Sequence, residues 1–75
     1  MSGSIYKIIE IVGTSKTSWE DAAKTAVETA AKTLEDLRVA EVTKLDLTIA
    51  ENKVTAYRVR LAVSFVFMFI LLSGK

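Results

Sequence analysis

Residues 56–69 read AYRVRLAVSFVFMF, and two rows of side chains alternate along them. One row is Tyr57, Val59, Leu61, Val63, Phe65, Phe67 and Phe69, apolar throughout. The other is Arg58, Arg60, Ala62, Ser64, Val66, Met68 and Ile70, in which charge gives way to small and then to apolar residues. A period of two sustained this long specifies a β-strand with one face packed along its whole length. From Leu61 to Leu72 only Ser64 is polar, so both faces of the far half call for cover. This run is short of the about 20 residues that a membrane helix needs, and one strand cannot close a membrane barrel. A single strand from Val54 to Leu72 would extend about 60 Å, well past the usual length. The cover is therefore expected from outside the subunit, the alternative being that residues after about Phe67 form a flexible or helical apolar tail.

Just before this run, Ala50-Glu51-Asn52-Lys53 is a polar hairpin loop, with Asn52 suited to the left-handed backbone region. Val39 to Ile49 forms the partner strand, and its apolar phase changes midway. Ala40 and Val42 share one phase, whereas Leu45, Leu47 and Ile49 share the other, so a β-bulge or sharp bend is expected near Thr43 and Lys44. Further upstream, Trp19, Ala22, Ala23, Ala26, Val27, Ala30, Leu34 and Leu37 recur at spacings of three and four, the stripe of an amphipathic helix. Thr17-Ser18-Trp19-Glu20 fits a capping box with Thr17 as its cap, and Glu20 and Asp21 suit the positive end of the helix dipole. Glu20–Lys24 and Glu28–Lys32 add i,i+4 pairs of about 0.2–0.5 kcal/mol each. The alanine-rich stripe allows close approach but buries little area, so this helix requires an extensive partner surface. Ile5 to Val12 is rich in β-branched residues and stops at Gly13, which reads as the first strand.

Composition narrows the chemistry. The 75 residues include no Cys and no His, which excludes Cys/His zinc sites and Cys- or His-based nucleophile systems. Ten Lys and Arg against nine Asp and Glu leave a net charge of +1, no field for steering nucleic acid or an anionic membrane. The first ten residues alternate with charge instead of forming the apolar stretch of a secretory signal, so a cytoplasmic setting is expected.

In order, IYKIIEIVGTS (5–15), TSWEDAA (17–23), LRVAEV (37–42) and AYRVRLAVSF (56–65) resemble the dodecin family. These are small flavin-binding or calcium-associated proteins that assemble into hollow dodecameric shells. The resemblance covers Ile5 to Phe65, and the GTS step into the helix and the L-x-x-x-E-V strand opening are its most specific parts. It implies an α+β fold of order β-α-β-β, a three-stranded antiparallel sheet packed on one long helix with the third strand central. It also implies copies of the chain as partners, with trimers as the building block of a dodecamer or another symmetric assembly. Flavin-binding members carry a tryptophan in L-D-W-F-E-V that stacks on the isoalloxazine ring, and a glutamine in the last strand that hydrogen-bonds its edge. Val39 and Arg58 occupy those two positions here, and Ala40 that of the phenylalanine. Valine has no π-face for stacking. The R-V-A at 38–40 places the sequence nearer the calcium-associated branch, with the calcium ligands left unknown.

After Phe65, where family members soon end in a polar tail, this chain continues VFMFILLSGK. One domain over 1–75 is expected, with 1–4 as a flexible start and 66–75 as an apolar C-terminal extension. Arg60, Ala62, Ser64, Val66, Met68 and Ile70 form the expected assembly interface, covered by copies of the chain or by a second designed chain. The function expected is that of a non-catalytic self-assembling shell or cage subunit, engineered through this apolar interface. The alternative is a flavin- or calcium-binding and storage protein of the dodecin type.

Other groups are weighed against plainer roles. Glu10, Glu41 and Asp46 lie on strands and are candidates to converge between subunits on calcium, which takes six to eight oxygens, although strand carboxylates more often face solvent. Trp19 is expected to cap the core rather than stack on a ligand. Thr14, Ser15, Thr17 and Ser18 gather hydroxyls near a helix N-terminus without a Gly-rich phosphate loop. Arg58 and Arg60 are expected as intersubunit ion-pair partners or solvated charges. No constellation supports a reaction, so no enzyme is expected.

Overall fold

The computed structural model describes the backbone of residues 2–71 and the side chains of residues 5–66. The elements run β1 (Ser2–Ser15), α1 (Trp19–Ala30), β2 (Leu37–Ala50) and β3 (Lys53–Leu71). They form one antiparallel sheet in the order β1-β3-β2, with β3 in the centre, as the resemblance implies. The long apolar run is thus part of a 19-residue strand flanked by β1 and β2 as far as Phe65 and by β1 beyond it, and the molecule measures 63 × 20 × 14 Å.

The two rows of β3 separate as the alternation predicts. Val59, Leu61 and Val63, each 1% exposed, face α1 and form the core with Ala22. Ile9 and Ile11 of β1, Ala23, Ala26 and Val27 of α1, and Leu37 pack around them. The pairing register does not continue unbroken to Phe69. Pairing with β1 passes from Val66 opposite Tyr6 to Met68 opposite Ile5, leaving Phe67 as an extra residue that shifts the register.

Gly13 fixes how close the helix comes. A Cβ there would lie 2.5 Å from the Ala22 carbonyl oxygen and 2.7 Å from the Ala26 Cβ, so the glycine and the alanine stripe are two halves of one close contact. The helix packs on β1 and β3 and barely touches β2.

Three boundaries differ from the sequence reading. The strand pattern of β1 begins at Ser2 rather than Ile5, paired to the end of β3. The helix cap is Ser18, whose Oγ accepts from the Asp21 N–H at 2.9 Å, so Thr17 is not the cap. The helix ends at Ala30, short of Leu34 and Leu37, and the chain reverses through Asp36 at φ 59°. Leu37 belongs to β2, and it reaches the same core from the strand.

The bulge expected near Thr43 and Lys44 is present. Val42 pairs with Leu61 and Lys44 with Arg60, leaving Thr43 extra. That insertion keeps Ala40, Val42, Leu45 and Leu47 opposite the core row of β3 despite their change of phase. The hairpin between β2 and β3 turns on Glu51 and Asn52, both at positive φ (53° and 64°), the two-residue primed turn whose twist matches the strands.

Candidate functional site

The face of the sheet away from α1 carries Val39, Arg58, Arg60 and the three candidate carboxylates Glu10, Glu41 and Asp46. Its rungs follow the register of β3 with its two neighbours. Arg58 lies between Thr14 and Asp46, Arg60 between Val12 and Lys44, Ala62 between Glu10 and Glu41, and Ser64 between Ile8 and Val39. The face therefore passes from an ion pair to a cationic rung, an acidic rung and an apolar end. Of the expected interface residues, Arg60 is exposed and Ala62, Ser64 and Val66 are half-buried within one chain. The side chains of Met68 and Ile70, with residues 72–75, lie outside the described residues. Ile8 is 65% exposed and Val39 62%, so the apolar end has no cover from its own chain.

Arg58 is engaged. Its Nε donates to Asp46 Oδ1 at 2.8 Å and its Nη2 to Oδ2 at 2.9 Å, a two-pronged pair across the β2–β3 ladder. The Arg58 hydrogen bonds hold the Asp46 carboxyl below its ordinary value, and the charges of Lys44 and Arg60 lower it further. The same bonds raise the Arg58 guanidinium. Thr43 Oγ1 donates to the Arg60 carbonyl at 3.2 Å and secures the bulge. Ser64 Oγ donates to the Val39 carbonyl at 3.3 Å.

Trp19 is exposed and stands outside the core cluster, and it ties the helix start to the sheet. Its indole N–H donates to the Asp46 carbonyl at 3.0 Å, and its ring meets Tyr57 edge-on at 5.1 Å. Two of the nearby hydroxyls, those of Ser15 and Ser18, are occupied within the helix start. Ser15 Oγ donates to the Asp21 carboxylate at 2.7 Å and accepts from the Thr17 N–H at 2.9 Å. An acidic side chain already fills the place an anion would take.

The residues present fit one proposed ligand poorly. Val39 and Arg58 share a face but stand six residues apart in register along β3, about 20 Å, so one chain does not bring them together. With no ring at Val39 and Arg58 closed onto Asp46, the two positions do not form a flavin-stacking site. Carboxylates are better placed. Glu10 and Glu41 flank Ala62, about 10 Å apart across two strand spacings, whereas Asp46 is held by Arg58. No three Asp, Glu, His or Cys side chains gather among the described residues, so a complete calcium cage is not found within one chain. Lys44, which faces Arg60, is the residue missed by sequence reasoning. The phase change at Thr43 carried the signal, since a bulge there turns Lys44 onto the face of the arginines.

These rungs, the central β3, and the close Gly13 contact sit within a known pattern. The family model described as Dodecin matches residues 5–68. The chain belongs to the dodecin family. It is similar to the calcium dodecin of Mycobacterium tuberculosis (47% identical over 62 residues, 83% of this chain and 87% of that protein). The crystal structure of that calcium-chelating antigen, described as having a novel calcium-binding site, superposes with a TM-score of 0.76 at 42% identity. That match spans 96% of this chain and 99% of the other, far enough to take in most of the segment after Phe65. The dodecin of Thermus thermophilus is 43% identical over 63 residues, 84% of this chain and 91% of the relative. The dodecin of Streptomyces coelicolor superposes with a TM-score of 0.84 at 34% identity, covering 91% and 97% of the two chains. No helix among the described residues is long and apolar enough to cross a membrane.

Proposed function

We propose that this chain is a non-catalytic, self-associating dodecin that binds and stores calcium rather than flavin. The family relatives support ligand storage over a shell that holds nothing. The observation that carries the choice of ligand is the state of the two flavin positions: Val39 offers no ring, and Arg58 is already bonded to Asp46. Glu10 and Glu41 on the acidic rung are the proposed calcium donors, with oxygens from a second copy completing the six to eight the ion takes. Sharing between copies accounts for the incomplete donor set of one chain, and it couples ion binding to assembly. Copies of the chain are the proposed partners.

Calorimetric titration with calcium tests this reading. A saturable heat is expected from the native protein, lost in both Glu10→Gln and Glu41→Gln. Riboflavin added to the same preparation is expected to leave its flavin absorbance bands unshifted. Absence of calcium heat, or a yellow chromophore purifying with the protein, overturns the assignment.

A further inference from the structure

The most unusual local feature of the sheet is the rung at Arg60. Lys44 stands directly opposite it on the neighbouring strand, and like charges in that position destabilise a ladder. The sequence does not place them there by default. Without the extra residue at Thr43, Lys44 would fall on the helix side of β2 and Thr43 would oppose Arg60. The bulge, pinned by the Thr43 hydroxyl on the Arg60 carbonyl, is what brings the two cations together. Both are exposed, and neither forms an ion pair among the described residues. The next rung adds Arg58, whose charge is answered by Asp46 alone. Three cations thus share one carboxylate. Glu10 and Glu41 lie a rung away on the other side, at the diagonal separation of about 7–8 Å from Arg60, and form an ion pair with neither cation.

We propose that Lys44 and Arg60 form a binding site for a phosphate dianion, as inorganic phosphate or a phosphate monoester, at the edge of the helix-free face. The chemistry matches. A dianion balances two unpaired cations, and an arginine presents paired donors to two phosphate oxygens while lysine supplies a point charge. Binding removes the repulsion across the rung, so the ligand and the bulged strand stabilise one another. The site does not depend on the calcium reading, because it uses no carboxylate.

The test is calorimetric titration of the full chain with inorganic phosphate in chelator-treated, calcium-free buffer, against chloride at equal ionic strength. Saturable phosphate binding is expected, weakened about tenfold in K44Q and in R60Q, the factor that about 1.4 kcal/mol represents. K32Q, an exposed lysine beyond the helix, is expected to bind as the parent does. Phenyl phosphate in place of inorganic phosphate separates a monoester site from one for the free ion, and binding of either supports the proposal. Thermal unfolding gives a second reading: in phosphate-free buffer K44Q is expected to be more stable than the parent, with the gap closing as phosphate is added. Equal heats from phosphate and chloride overturn the proposal, as does equal weakening in K32Q. A lowered midpoint for K44Q in phosphate-free buffer overturns the repulsion on which it stands. A fall in native mass in K44Q or R60Q with phosphate binding unchanged identifies carboxylates of a second copy as the occupant and also overturns it.

Discussion

At the level of single residues, two positions set the terms for the rest. Gly13 lets the helix sit directly on β1, and the Ala22 carbonyl and Ala26 methyl leave no space for even one carbon. Gly13→Ala is expected to push α1 away from the sheet and lower stability by about 1–3 kcal/mol, the usual range for overpacking. A urea unfolding series reads this as a lower midpoint with an unchanged slope. Asp46 is the second. Its folded carboxyl titrates below its ordinary value of 3.8 because Arg58 bonds the ionised form, so the pair favours folding fully above that value. As pH falls through the depressed folded value, this contribution disappears. Acid unfolding of the parent and of Asp46→Asn is expected to show the parent more stable near neutrality and the two curves converging below about pH 4. Curves that stay parallel down to pH 2 would mean the pair does not contribute. Both side chains are half-exposed, so added salt is expected to narrow the difference.

Among the elements, the helix start is where sequence and structure part by one residue. Thr17 and Ser18 both have cap chemistry, and the spacing to Glu20 favours Thr17; the structure uses Ser18, with Ser15 bonding the chain ahead of it. Ser18→Ala is expected to lower stability by about 1 kcal/mol. Thr17→Ala is expected to change it by less than about 0.5 kcal/mol, and equal losses by thermal melting would restore Thr17 as the cap. The bulge at Thr43 and the hairpin at Glu51–Asn52 were legible because each follows from period or turn chemistry in a few neighbouring residues, whereas the central place of β3 came from the family resemblance. The end of α1 was not. Leu34 and Leu37 keep helical spacing, yet Leu37 earns its burial from β2 after a reversal at Asp36 that no glycine announces. The extra residue at Phe67 was equally hidden, since an all-apolar run gives no phase to read. The site shows the same division. The separate identities of Arg58, Arg60 and Asp46 were visible, but the rung joining Lys44 to Arg60 exists only once the bulge sets the register.

For the whole molecule, the balance of surface is the governing fact. Only Ala22, Val59, Leu61 and Val63 bury an apolar side chain fully among the described residues, too small a core for a chain of this size to rest on alone. The helix leaves Val42, Leu45 and Leu47 of β2 largely open on one side of the sheet. On the other side Tyr6, Ile8, Val12 and Val39 are open too, continuous with the half-buried Ser64 and Val66. Apolar surface on both sides of a sheet this thin marks association surfaces, and at about 25 cal/mol per Å² its burial, repeated by symmetry, supplies what the single core lacks. If copies meet through the helix-free face, a charge at its apolar end dismantles the assembly. Ile8→Lys and Val39→Lys are each expected to lower the native mass measured by light scattering, with the strand pattern retained by circular dichroism. Glu35→Gln, on the exposed turn after α1, is expected to leave the mass unchanged. If both lysine variants keep the parent mass, the copies meet elsewhere, and the open groove between α1 and β2 becomes the surface to substitute next. Calcium sharpens the distinction: donors on the acidic rung shared between copies should raise the parent's mass or melting temperature on addition of the ion, and leave Glu10→Gln unmoved.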